Sequence, residues 1–108
     1  MRRGDIVTVS GGVYARKPRP ALVVQDDRFD ATESVTVCPF TSTGVDAPLL
    51  RVPVPVDEEN GLGQDSFLMV DKITTVRRSN VGTVLGRLET TTLVESERRL
   101  LVFLGFGT

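Results

Sequence analysis

Arg19 stands between two prolines, in the stretch Lys17-Pro18-Arg19-Pro20-Ala21-Leu22-Val23-Val24. Each proline locks its own φ and pushes the residue before it towards extended backbone, so the arginine backbone has little freedom. Residues Ala21 to Val24 carry no polar side chain and read as a strand buried on both faces. A guanidinium at the mouth of such a strand is charged at any working pH, and its fork matches two phosphate oxygens. The same arginine would serve equally as a solvated residue in a surface ion pair. Thr41-Ser42-Thr43 is the second candidate. Three hydroxyls closing an apolar strand can donate to a phosphate or a base edge, or form an ordinary strand-end turn.

The chain has no histidine. That excludes Ser-His-Asp and Cys-His triads, a paired-histidine acid–base mechanism and the commonest zinc sites. A hydroxyl nucleophile would lack its usual activating base. The acidic clusters Asp26-Asp27 and Asp57-Glu58-Glu59 have neither an EF-hand pattern nor a partner at fixed spacing, and read as solvated loop charge. Asp71-Lys72 interrupts an apolar segment and fits a bulge, a structural ion pair or part of a pocket. No phosphate-binding loop, dinucleotide fingerprint or metal motif is present. No metal or cofactor is expected.

These residues need a scaffold of short strands. Ile6–Val9 reads as the first, broken by Ser10-Gly11-Gly12, with a loop running through Tyr14 and Arg16 to the proline clamp. Strands follow at 20–25 and 34–40. The segment 49–56 alternates Leu50, Val52, Val54 and Val56 against Arg51, Pro53 and Pro55. Proline cannot donate to a ladder, so this is an edge strand. Asn60-Gly61 marks a turn. Segments 66–70 and 73–76 form one strand or a bent pair, and 81–88 the last. Then the period changes. Thr92-Leu93-Val94-Glu95 fits a capping box, Leu93, Val94, Leu100, Leu101 and Leu104 form an apolar stripe, and Glu95 and Arg99 make an i,i+4 pair. Gly105 is the expected C-cap. The pattern predicts a small, strongly bent antiparallel barrel closed by one C-terminal helix.

At 108 residues the chain reads as one domain, 1–108, able to bury a core without a disulfide or metal staple. Its 40% hydrophobic and 25% charged content is ordinary for a soluble protein. Cys38, flanked by Val35, Val37 and Phe40, reads as a buried thiol suited to a reducing cytosol. No apolar run reaches membrane-spanning length, and Met1 leads into Arg2-Arg3-Gly4-Asp5 without a signal-peptide pattern. The net charge of −1 does not announce a nucleic-acid partner, yet Arg2, Arg3, Arg16, Lys17 and Arg19 allow a local positive groove.

Several segments, in order along nearly the whole chain, resemble the MazF/PemK toxins of bacterial toxin–antitoxin systems. They are Arg3-Gly4-Asp5-Ile6-Val7, Arg19-Pro20-Ala21-Leu22-Val23-Val24-Gln25, Val37-Cys38-Pro39-Phe40-Thr41-Ser42, the run from Gln64 to Ile73, and Gly86-Arg87-Leu88 before the helix. The resemblance implies a mainly β, SH3-like barrel of the CcdB/PemK type with a C-terminal α-helix, usually a homodimer. It implies a metal-independent, sequence-selective endoribonuclease acting on single-stranded RNA, leaving a 2′,3′-cyclic phosphate and a 5′-hydroxyl. By position, the family's catalytic arginine falls on Arg19 and its catalytic threonine on Thr41, with Ser42 in the same hydroxyl loop. The loop from Gly11 to Lys17 would cover the RNA, Arg16 and Lys17 meeting its backbone. Tyr14 would stack on a base or anchor the loop. A cognate antitoxin with a disordered acidic tail is the implied partner, and the cytoplasm the implied location. The CcdB relatives share the fold but poison DNA gyrase through a C-terminal Trp-Gly-Ile. This chain ends Phe106-Gly107-Thr108 without the tryptophan, and gyrase inhibition is the alternative. An inert RNA-binding barrel is a third.

Overall fold

The computed structural model describes residues 1–11 and 15–106, Ala15 by its backbone alone. Seven strands and one helix follow one another: β1 (Asp5–Gly11), β2 (Ala15–Val23), β3 (Ser34–Thr41), β4 (Arg51–Val54), β5 (Ser66–Met69), β6 (Thr74–Arg77), β7 (Val81–Arg87) and α1 (Thr90–Leu104). The strands form one antiparallel sheet in the order β4-β5-β3-β2-β1-β7, with β6 also on β3. β3 is shared lengthwise. Residues 34–37 pair with β6, and residues 40–41 pair with β5. Between β5 and β6 the chain turns through a short 3-10 segment, Val70–Lys72, which is the bent pair expected from the sequence. β4 lies at the sheet edge, as its prolines require.

Two apolar clusters hold the sheet. One gathers Ile6, Leu22, Cys38, Phe40, Leu68 and Val70 with Leu93 and Leu100 of α1. The other is almost all valine: Val7, Val9, Val23, Val35, Val37 and Val76, with Ala21. Consecutive residues of β2 thus enter different clusters, which explains its unbroken apolar run.

The sheet's far edges meet through a turn. Arg87 N–H of β7 donates to Glu59 O at 2.9 Å. That turn is built on Asn60, fully buried. The Asn60 amide donates to Pro55 O at 2.9 Å and accepts from Leu62 N–H at 3.0 Å, while its own N–H donates to Asp57 at 2.7 Å. Every polar atom of that side chain is used locally, so burying it costs little.

Several expected boundaries move. β2 starts at Ala15 and takes in the proline clamp, so Arg16 and Lys17 lie on a strand; residues 12–14 of the expected loop are outside the described residues. β4 is confined to 51–54, leaving Val56 exposed. α1 begins at Thr90, with no side-chain cap at Glu89, so Thr92 and Glu95 are inside the helix and form no capping box. Thr92 O instead accepts from Ser96 Oγ at 2.7 Å. Of the expected stripe, Leu93 and Leu100 are buried, whereas Val94, Leu101 and Leu104 are exposed. Gly105 does close the helix at φ 83°, and Glu95 does pair with Arg99. No helix among the described residues is long and apolar enough to cross a membrane.

The edge contact leaves no room beside Gly86. A Cβ there would lie 2.1 Å from Glu59 O and 2.6 Å from the Asn60 carbonyl carbon, both backbone atoms. Gly86→Ala should therefore cost about 3 kcal/mol in urea unfolding, the upper range for overpacking. Gly63→Ala, with nothing within 4 Å, should change stability by less than about 0.5 kcal/mol.

Candidate functional site

β2 and β3 pair Ala21 with Pro39, Leu22 with Cys38 and Val23 with Val37. Continued by two residues, that register sets Arg19 opposite Thr41. Strand alternation puts both side chains on the face of Ala21 and Pro39. The ladder itself stops at Ala21 and Pro39. Beyond it, residues 15–20 of β2 pair only with β1, Arg19 lying across from Val9. Pro18 and Pro20 have no N–H to offer a second neighbour. β2 is a central strand over its apolar half and an edge strand over its proline half. The two strands separate just where Arg19 and Thr41 face each other.

A groove of about 940 Å³ occupies that opening. Arg19, Thr41 and Ser42 line it together, joined by Thr43, Gln64 and Thr74. Its charged lining consists of Arg19, Lys72 and Arg77, with no carboxylate among the described residues. Arg19 is exposed, and its side chain has no hydrogen-bond or ion-pair partner among the described residues. Thr41 Oγ1 accepts from Thr43 N–H at 3.1 Å. The strand-end turn is therefore real, and it leaves the hydroxyl proton free to be donated into the groove. A concave, cationic, hydroxyl-lined surface suits a polyanion.

Arg16 and Lys17 are exposed on β2 and are not part of the groove lining, and Tyr14 lies outside the described residues. Lys72 and Arg77 were not singled out from the sequence as groove cations. For Lys72 the break in the apolar segment was a signal; for Arg77 there was none, since only the path of β6 brings it there. The Asp71-Lys72 pair divides its roles: Asp71 forms an ion pair with Arg51, and Lys72 lines the groove. The acidic clusters hold backbone donors: Asp27 accepts from Arg3 N–H at 2.6 Å. Asp26 accepts from Arg28 N–H at 2.9 Å, and that side-chain and backbone pairing with Arg28 holds its carboxyl below the usual range. Asp57 accepts from Glu59 and Asn60 N–H. Among the described residues no three His, Cys, Asp or Glu side chains converge to hold a metal.

The fold is thus a bent antiparallel sheet with a C-terminal helix and a groove suited to a phosphate chain. The family model for PemK-like, MazF-like toxins of type II toxin–antitoxin systems matches residues 2–104, and the chain belongs to that family. It is 56% identical over 108 residues to a probable endoribonuclease MazF of Mycolicibacterium smegmatis, covering 99% of each chain. Among solved structures it resembles an endoribonuclease in complex with its cognate antitoxin from a mycobacterial species, at a TM-score of 0.81 and 21% identity, over 100% of this chain and 98% of that one. A MazE–MazF structure from Deinococcus radiodurans gives a TM-score of 0.79 at 24% identity, over 99% and 97%. At these identities the two structures speak to the fold.

Cys38 takes no part in the groove. It is fully buried, and burial, with the Asp71 carboxylate adding a smaller push, drives its thiol up to about 12. A raised pKa means that the neutral thiol favours the fold below its ordinary value of 9.0. As pH climbs from there towards 12, the unfolded chain ionises first and stability is lost. Over that window the wild type should lose about 1.4 kcal/mol per pH unit more than Cys38→Ala. Denaturant melts of the two at stepped pH would measure it, and parallel curves would refute it.

Proposed function

We propose that this chain is the toxin of a type II toxin–antitoxin pair and works as an endoribonuclease on single-stranded RNA. The observation that carries this is the meeting of Arg19 and Thr41 across the mouth of the β2–β3 ladder, in a groove whose charged lining is wholly cationic. The RNA supplies its own nucleophile. Its 2′-oxygen attacks the adjacent phosphorus and loses its proton; the bond to the 5′-oxygen breaks, and that oxygen takes up a proton. The products are a 2′,3′-cyclic phosphate and a 5′-hydroxyl. Such a reaction needs neither a protein nucleophile nor a metal-bound hydroxide, which suits a chain without histidine. Arg19 stabilises the charge that grows on the non-bridging oxygens. Thr41 donates its hydroxyl proton to the same phosphate and holds it in line. Ser42 and the cations Lys72 and Arg77 hold the neighbouring backbone.

The cognate antitoxin blocks this groove with an acidic segment, the charge complement of its lining. The active form is a homodimer in the bacterial cytoplasm. Val84 and Leu85 on β7, with Val94, Leu101, Val102, Phe103 and Leu104 on α1, leave enough exposed apolar surface to support a second copy. Gyrase inhibition has less in its favour, because the family match is to PemK and MazF toxins.

Purified protein should cut single-stranded RNA in excess EDTA and leave 5′-hydroxyl ends. Arg19→Ala should lower kcat by about 10²–10³ or more, the cost of one oxyanion-stabilising donor. Arg19→Lys should recover only part of this, because the fork is lost. Full cutting by Arg19→Ala, or cutting that stops with EDTA, would overturn the assignment.

A further inference from the structure

Arg19, Lys72 and Arg77 bind phosphate without regard to sequence. The threonine hydroxyls rotate and accept many partners. Two side chains in the groove lining carry a carboxamide, the exposed Gln64 and the half-buried Asn80, and the second is the more firmly placed. Asn80 ends the 3-10 turn Arg78–Asn80 between β6 and β7. It is half-buried, and its amide makes no hydrogen bond among the described residues.

Its position is set from several sides. Val81, the next residue, pairs with Val9 of β1. Arg78, two before it, ties the turn to the 32–33 loop: its N–H donates to Glu33 O at 2.8 Å and its Nε to Thr32 O at 2.7 Å. The amide packs against Gly11, also in the groove lining. A Cβ at Gly11 would stand 3.0 Å from Asn80 Oδ1 and 3.3 Å from Nδ2. Gly11 also has φ +91°, a value that favours glycine, and the missing side chain leaves the amide its space.

A carboxamide presents one donor and one acceptor side by side, the complement of a base edge. In single-stranded RNA those edges are free. Held on a turn tied to its neighbours, and without a hydrogen bond among the described residues, this amide would gain two hydrogen bonds from a base at little ordering cost. We infer that Asn80 is a specificity-determining residue, which reads the edge of one base flanking the phosphate held by Arg19 and Thr41. The inference rests on the RNA-cleaving assignment above.

The test is cleavage of a randomised single-stranded RNA pool, with the new 5′-hydroxyl ends sequenced. Wild type should show a base preference at a position beside the cut. Asn80→Ala should still cut, while preference at that one position falls about tenfold or more, the usual worth of a bidentate base contact. Asn80→Asp, which loses the donor, should lose the same preference. Asn80→Ser, too short to span an edge, should do likewise and stands in if the alanine variant fails to fold. Unchanged preference at every position in these variants, or a loss spread evenly over all positions, would overturn the role of Asn80. A wild-type protein that cuts no RNA would instead overturn the cleavage assignment itself.

Discussion

The site depends on where the β2–β3 ladder ends. Over Ala21–Val23 the two strands are fully paired, and their side chains pack into both apolar clusters. Beyond Ala21 and Pro39 the pairing stops while the register carries on geometrically, so Arg19 and Thr41 face each other across separating strands. Buried backbone must find partners, and a strand that loses one neighbour exposes polar groups. Two prolines in the unpaired half of β2 reduce that cost, because each has one donor fewer to satisfy. The same residues that end the ladder also stiffen the arginine backbone between them. Little backbone entropy would remain for Arg19 to lose on binding a phosphate.

The rest of the fold keeps this opening in shape. β3 is the shared element: its first half holds β6 and its second half holds β5. The bend at Val70–Lys72, forced by that sharing, turns Lys72 towards the groove. Asp71, in the same bend, is paired with Arg51 and brings no free negative charge to the site. The opposite edge is closed by the Asn60 turn pressed on Gly86. α1 lies on the Ile6–Leu22–Leu68 cluster and contributes nothing to the groove lining among the described residues. Its Leu101, Val102, Phe103 and Leu104 are exposed, and none of them lines the groove.

Much of this was legible in the sequence, for identifiable reasons. Strand period, proline punctuation and the change to helical period located every major element. Where boundaries were misplaced, tertiary contacts had overridden local preference. Thr92 and Glu95 have the right spacing for a capping box, yet α1 begins two residues after Leu88, whose side chain is buried in the main cluster. The chain is thereby committed to helix before Thr92 is reached. Likewise residues 15–19 read as a loop because of their charges and prolines, but pairing with β1 from Gly11 and Val9 draws them into β2.

By itself the sequence limited the kind of chemistry. Without histidine, and with an arginine clamped by prolines and hydroxyls closing a strand, the groups present can stabilise a phosphate but cannot generate a conventional nucleophile. The order of its segments also determined the family. What only the tertiary structure decided was which groups line one groove. Arg19 and Thr41 meet through a register between strands, and Lys72, Arg77 and Asn80 reach the same groove through a bend and a short turn far along the chain. Local sequence sets φ, period and charge, whereas register and convergence are set by which apolar faces bury one another, and that is a property of the whole fold.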